Sequence, residues 1–221
     1  MKKIAIWKRW LSYLFEFHVE TVGSNINEVL HVSYSQGRYQ LSTQNAIYSF
    51  GDLYSNYYDA FERLDLEKLS INNVLILGFG LGSIPLMLEK NFKQNYNYTG
   101  IEIDEEVIYL ANKYVTNELK SAIEMICTDA LMFLEINEEK YDMICIDLFL
   151  DDVIPQQFEQ QYFLSLVKDR LSENGILLYN RLASTEQDKL ESETFFEMEF
   201  LPVFPNGRYL DVDGNWILLN E

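Results

Sequence analysis

The stretch Val74-Leu75-Ile76-Leu77-Gly78-Phe79-Gly80-Leu81-Gly82-Ser83 decides the fold of this chain. Its four leading apolar residues predict a strand that is buried on both faces. The glycines that follow allow a tight turn and a close approach of the backbone to a ligand. Pro85 suits the first turn of a helix, where a missing N–H costs nothing. Such a loop between a buried strand and a helix predicts a nucleoside site, because the helix start offers free backbone N–H groups.

Strand and helix patterns alternate on the C-terminal side of this loop. This alternation predicts an α/β fold, a Rossmann-like doubly wound and mostly parallel sheet with helices on both faces. The tail, 195–219, pairs strand-like segments around turn signals at 205–207 and 213–214, which predicts a C-terminal antiparallel hairpin. The predicted strands are 73–77, 97–103, 123–127, 141–147 and 175–180, and the predicted helices are 83–90, 105–119, one from about 130, and 158–171.

The residues on the N-terminal side of this loop follow a different hydrophobic period. Residues 13–50 alternate between apolar and polar with glycine turn signals, which predicts a small antiparallel β unit. Residues 52–66 carry aromatic side chains at helical spacing. Lys8 and Arg9 interrupt the apolar start, so we expect a short amphipathic element there instead of a signal peptide. We therefore expect two domains, an N-terminal β unit at 1–50 and a Rossmann-like, nucleoside-binding, methyltransferase-type domain at 51–221.

The amino-acid composition argues against several classes of binding partner. The 17 basic and 35 acidic residues give a formal charge of −18, which argues against nucleic acid, because a phosphate-tracking protein needs the opposite balance. No apolar run approaches the roughly 18–20 residues of a membrane span. Cys127 and Cys145 lie in apolar runs and are expected to be buried and reduced, which predicts a cytoplasmic protein. His18 and His31 lie far from the loop, so we expect no metal site.

Acidic residues follow the next two predicted strands. Glu102, twenty residues after Gly82, can accept hydrogen bonds from both ribose hydroxyls of an adenosyl group. Asp129 can accept from the exocyclic amine of adenine, or it can cap the helix that follows. The G-x-G-x-G spacing, with serine at 83, favours S-adenosylmethionine enzymes over dinucleotide enzymes. The predicted cofactor-binding residues are Gly78, Phe79, Gly80, Gly82, Glu102, Ile103, Asp129 and Ala130.

Four motifs resemble the spermidine synthase family, a branch of the Rossmann-like S-adenosylmethionine-dependent methyltransferase superfamily. They are VLILGFGLGS (74–83), YTGIEIDEEVI (98–108), CTDA (127–130) and YDMICIDLFLDD (141–152), the last followed by Pro155. The resemblance implies that Asp147 deprotonates or orients an attacking amine. It implies that Tyr57, in Tyr57-Tyr58-Asp59, lines the pocket of a small-molecule acceptor. It also implies a homodimer.

The chain departs from this family where the family carries acids. Leu81 stands in the glycine-rich loop, Leu150 follows Asp147 by three residues, and Leu53-Tyr54 precedes the helical tyrosine. Burying a diamine without fixed carboxylates is costly, so the leading hypothesis is methyl transfer from S-adenosylmethionine to a small acceptor, amines included. One alternative is a polyamine aminopropyltransferase that uses decarboxylated S-adenosylmethionine, with Asp151 or Asp152 supplying the missing charge. The other is a non-catalytic binding protein that retains the fold.

Overall fold

The computed structural model describes residues 5–212 and 214–221, and its strands form two sheets. The smaller sheet has four strands in the order β1-β2-β3-β4, and all its pairs are antiparallel. This confirms the predicted N-terminal antiparallel sheet. Helix α1 (Ile6–Leu11) precedes it, and the strands are β1 (Phe17–Val22), β2 (Leu30–Ser35), β3 (Arg38–Ser42) and β4 (Ile47–Ser49).

The larger sheet has seven strands in the order β10-β11-β9-β8-β5-β6-β7. Strands β5 to β9 are mutually parallel, and the hairpin β10-β11 adds two antiparallel strands at one edge. The predicted doubly wound sheet with its closing hairpin is confirmed. The strands are β5 (Asn73–Leu77), β6 (Asn97–Glu102), β7 (Ile123–Cys127), β8 (Tyr141–Ile146), β9 (Leu171–Leu182), β10 (Arg208–Val212) and β11 (Asn215–Leu219).

Helices cover both faces of the larger sheet. Val74 and Ile76 of β5 belong to one buried cluster, and Leu75 and Leu77 belong to the cluster on the opposite face. Burial on both sides explains why β5 is apolar at consecutive positions. The helices are α2 (Ser55–Arg63), α3 (Ser83–Lys90), α4 (Glu105–Tyr114), α5 (Ala130–Ile136), α6 (Gln161–Arg170), α7 (Glu186–Phe195) and α8 (Leu201–Val203).

Two features differ from the sequence predictions. The start of the tail is helical and not strand-like, because the side chain of Thr185 and that of Asp188 form a capping box that begins α7. The chain then continues through a π-helical turn (Phe196–Phe200) into α8, which keeps Phe200 in the core. Of the predicted turn at 213–214, residue 213 lies outside the described residues. Cys127 is exposed and only Cys145 is buried, because the end of β7 lies at the sheet edge.

The chain reverses its direction of travel across the sheet at β5, whose neighbours are β6 and β8. Ligands bind at such switch points, in the crevice beyond the carboxyl ends of the strands. The amide of Asp147 donates to the carbonyl of Leu77 at 2.8 Å, which brings the loops after β8 and β5 together. The domain division at residue 50 and the homodimer stay predictions. Within the described ranges, no helix has both the length and the apolar character needed to cross a membrane.

Candidate functional site

A cavity of about 720 Å³ lies at this switch point. Its wall combines the loops after β5, β6, β7 and β8 with the β3–β4 hairpin of the smaller sheet. A concave site of this size suits a nucleoside together with a small second ligand.

The glycine-rich loop contributes backbone to the cavity and turns its side chains away. Gly78 (φ +85°) and Gly80 (φ +55°) line the cavity, and a Cβ on Gly78 would collide with the carbonyl oxygen of Asp147. Phe79 is only 4% exposed, and its ring packs against Gly82 and Gly100. Neither Phe79 nor Gly82 lines the cavity, so the predicted ligand contacts of these two residues are not supported by their positions.

Glu102 lies at the end of β6 and lines the cavity. Its two carboxylate oxygens accept from the amides of Gly80 (3.1 Å) and Asp104 (3.2 Å), which fixes the side chain. Burial raises the pKa of Glu102 in spite of these hydrogen bonds. Ile103, which follows it, also lines the cavity and is half exposed. The arrangement suits a ribose held by the carboxylate beside an apolar surface.

Asp129 caps the helix that follows it, and its carboxylate also lies at the cavity wall. One carboxylate oxygen caps α5 by accepting from the amides of Leu131 (2.9 Å) and Met132 (3.1 Å). The other accepts from the side-chain amide of Gln157 at 2.8 Å. Asp129 and Ala130 both line the cavity, so the cap also holds a carboxylate at its wall.

Asp147 lines the cavity at the end of β8 and is partly buried. Its Oδ1 accepts from the side-chain amide of Asn180 at 2.9 Å and from the hydroxyl of Tyr54 at 3.4 Å. The amide of Asn215 donates to the Oδ1 of Asn180 at 2.8 Å, which orients the Asn180 NH₂ group toward Asp147. Burial raises the pKa of Asp147 to about 6. Its Oδ2 has no hydrogen-bond partner among the residues that the structure describes.

The structure places Tyr54, and not the predicted Tyr57, on the wall of the cavity. Tyr57 is fully buried, and its hydroxyl donates to the carbonyl of Ile146 at 2.8 Å, so it serves the core. Tyr54 lies just before α2 and lines the cavity, where burial and the charge of Asp147 raise its pKa well above the ordinary value. Its phenol therefore stays a donor at neutral pH.

Two amide side chains at the site, Asn180 and Asn215, were not identified from the sequence. Both are buried, and both line the cavity. Asn180 follows the apolar run 176–179 in β9, and a polar residue at the end of such a run is the signal that could have identified it.

Asp151 is used to attach the loop after β8 to the smaller sheet. Its carboxylate accepts from the hydroxyl of Thr43 and from the side-chain amide of Asn45 (2.5 Å), and its own amide donates to the hydroxyl of Tyr48 at 2.6 Å. The hydrogen bonds from Thr43 and Asn45 lower the pKa of Asp151. Asp152, in contrast, is exposed to the cavity.

The charged side chains that line the cavity, among the described residues, are all acidic. The part of the wall that the structure describes contains no lysine, arginine or histidine. Across residues 5–212 and 214–221, no group of three or more potential metal ligands is close enough to hold an ion. The carboxylates on the wall are Glu102, Asp129, Asp147, Asp151, Asp152 and Asp188.

Curated proteins that are similar in sequence to this chain include several polyamine aminopropyltransferases. A probable polyamine aminopropyl transferase of Bifidobacterium longum is 27% identical over 215 residues, covering 95% of this chain and 46% of that protein. A polyamine aminopropyltransferase of Vibrio vulnificus is 26% identical over 170 residues, covering 74% of this chain and 56% of that protein. The chain thus spans about half the length of the curated relatives it matches. These relatives favour the aminopropyltransferase alternative, and methyl transfer, the leading sequence hypothesis, finds no support among them.

Solved structures share the fold at low sequence identity. The spermidine synthase of Thermotoga maritima superposes with a TM-score of 0.69 at 15% identity, over 92% of this chain and 72% of that chain. Human methyltransferase-like protein 13 in complex with SAH gives a TM-score of 0.59 at 22% identity, over 74% and 80%.

A family model described as the spermine/spermidine synthase domain matches residues 65–200, which confirms the resemblance seen in the motifs. Because this match covers more than half of the chain, the protein belongs to the spermine/spermidine synthase family.

Proposed function

We propose that this chain transfers an aminopropyl group from decarboxylated S-adenosylmethionine to an amine. The observation that carries the proposal is the charge of the cavity, whose described wall holds six carboxylates and no cationic side chain. The polyamine aminopropyltransferases among the relatives support the same reaction class.

The charge of the wall bears on which form of the donor binds. Decarboxylated S-adenosylmethionine carries a sulfonium and an ammonium group, and both are attracted by carboxylates. S-adenosylmethionine adds a carboxylate, and among the described residues the wall offers no cationic side chain to pair with it. An unpaired charge taken out of water loses several kcal/mol, on the order of the penalty for a buried ion. The decarboxylated form is therefore the proposed donor.

The residues that line the cavity divide into a donor end and an acceptor end. Glu102 is proposed to bind the ribose hydroxyls, and the loop glycines let the backbone approach the nucleoside. Asp129 and Gln157 are proposed to face the adenine, with Ile103 packing on it. At the acceptor end, Asp147 meets the reacting nitrogen through its free Oδ2.

Asp147 is suited to handling a proton. When bound, the donor supplies a carbon next to sulfur: the amine forms a bond to it, the C–S bond breaks, and its electron pair passes to sulfur. The nitrogen must lose one proton in the process. With a pKa of about 6, Asp147 is ionised at neutral pH and can accept that proton. Tyr54 and Asn180 hold the carboxylate in place while it does so.

Calorimetry with the two donor forms, followed by a turnover assay, tests the proposal. We expect the decarboxylated donor to bind at least tenfold more tightly than S-adenosylmethionine, and we expect release of methylthioadenosine when an amine is added. Asp147→Asn should lower turnover by about 10²-fold or more, within the range of a lost general base. Glu173→Gln, which removes one exposed charge near the start of β9, is the control. Tighter binding of S-adenosylmethionine would overturn the proposal in favour of methyl transfer, and binding of neither form would favour the non-catalytic alternative.

A further inference from the structure

The acceptor end of the cavity has an apolar rim. Ile47 is 50% exposed, Leu53 is 38% exposed and Leu150 is 47% exposed, and all three line the cavity. They come from different parts of the chain, namely β4, the 3-10 turn before α2 and the loop after β8. Aliphatic side chains that line one cavity and keep a large exposed fraction provide a surface that an apolar ligand group would cover.

Few carboxylates at this end are free to meet a cation. Asp151 already accepts hydrogen bonds from Thr43 and Asn45, and these contacts hold its loop against the smaller sheet. Asp147 keeps one free oxygen next to Tyr54, at the position proposed for the reacting nitrogen. Asp152 is exposed to water, so solvent screens its attraction for a ligand charge. Asp188 also lines the cavity, and its Oδ2 already accepts from the hydroxyl of Ser184 at 2.7 Å and from the amide of Thr185 at 2.8 Å in the capping box that begins α7. A second ammonium on the acceptor would thus lie along the aliphatic rim, where each carboxylate other than Asp147 is either hydrogen-bonded within the protein or screened by water.

We infer that the acceptor is an amine with a single cationic nitrogen and an apolar substituent, an alkyl or arylalkyl monoamine, and not an α,ω-diamine. The nitrogen binds at Asp147, and the substituent covers Ile47, Leu53 and Leu150. This inference rests on the proposed aminopropyl transfer and specifies its acceptor.

The rim predicts how affinity changes with the length of the acceptor. Each methylene buried against it should raise kcat/KM about fourfold, the factor that follows from roughly 0.8 kcal/mol per buried CH₂. Pentylamine and 1,4-diaminobutane are a matched pair, because they have the same chain length and differ in the terminal group, methyl or ammonium.

The first experiment compares propylamine, pentylamine and 1,4-diaminobutane as acceptors with decarboxylated S-adenosylmethionine, measured by release of methylthioadenosine. We expect pentylamine to exceed 1,4-diaminobutane by tenfold or more in kcat/KM. We expect it to exceed propylamine by about sixteenfold, which is two methylenes at about fourfold each. Preference for the diamine would overturn this inference and leave the proposed function standing. No turnover with any amine, in spite of donor binding, would overturn both.

Variants then test the rim itself. Leu150→Asp places a carboxylate beside the acceptor and should shift the preference toward the diamine by tenfold or more. Val153→Asp is the matched control, because Val153 lies in the same loop, is 62% exposed and does not line the cavity. Asp152→Asn should leave the preference unchanged. Loss of diamine turnover in Asp152→Asn, or an equal shift in both aspartate variants, would contradict the assignment.

Discussion

Replacing Asp147 by asparagine removes a partly buried charge and preserves the shape of the side chain. The new amide oxygen can still accept from the side chain of Asn180. In the folded protein the pKa of Asp147 rises from 3.8 to about 6, because burial favours the neutral acid. The folded state therefore holds this proton more tightly than the unfolded state. It follows that the wild type loses stability as the pH rises from about 4 through 6, and the asparagine variant does not.

The size of the expected difference in unfolding free energy follows from the pKa shift of Asp147. About two pKa units correspond to about 3 kcal/mol of unfolding free energy. This figure is an upper bound, because Asp147 lines an open cavity and water reaches it. Asp147→Asn should thus be more stable than the wild type by up to about 3 kcal/mol near pH 7.5. The linkage relation gives about half of that gain near pH 5 and none near pH 3.

Urea unfolding at about pH 5, 6 and 7.5 measures this difference, with Glu173→Gln as the control for removing an exposed charge. Tyr54 and Cys145 do not titrate in this range, because burial raises the pKa of each well above its ordinary value. A gain that grows with pH, together with loss of turnover, is the expected result. A variant less stable than the wild type at pH 7.5, or a difference independent of pH, would refute the assignment of a buried, destabilising charge to Asp147.

Three further predictions concern the surroundings of this carboxylate. Tyr54→Phe removes a donor and should move the acidic limb of the kcat/KM profile to higher pH, whereas Tyr57→Phe should leave that limb in place and cost about 1–2 kcal/mol in urea unfolding. Gly78→Ala should destabilise the fold by about 3 kcal/mol or more, or abolish soluble expression, because the new methyl group meets the carbonyl of Asp147 at a positive φ. Asp151→Ala removes the hydrogen bonds that attach the loop after β8 to the smaller sheet, and it should lower the free energy of unfolding in urea by about 1–3 kcal/mol. It should also raise KM for the amine more than KM for the donor. Equal changes in the two KM values would contradict that attachment.

Patterns of local origin were predictable from the sequence. The apolar run of β5, the glycine turn and the alternation of strands with helices gave a parallel sheet, because hydrophobic period and chain order are local properties. They also placed Glu102, Asp129 and Asp147 together beyond the carboxyl ends of the strands, since parallel strands end on the same side of the sheet. The helix at the start of the tail was missed, because its capping box outweighs the strand-like composition that follows it.

Which side chains face the ligand was decided only by tertiary structure. Tyr54 and Tyr57 both belong to a tyrosine-rich segment. Tyr54 precedes the first residue of α2 and its hydroxyl contacts Asp147, whereas Tyr57 lies within α2 and points into the core. The same holds for Phe79, whose ring fills the space above Gly100 instead of the cavity. The sequence by itself determined the sheet, the glycine-rich loop and the strand-end acids. The tertiary structure decided how those acids are partnered and which aliphatic side chains form the rim, because such contacts join residues far apart in the chain.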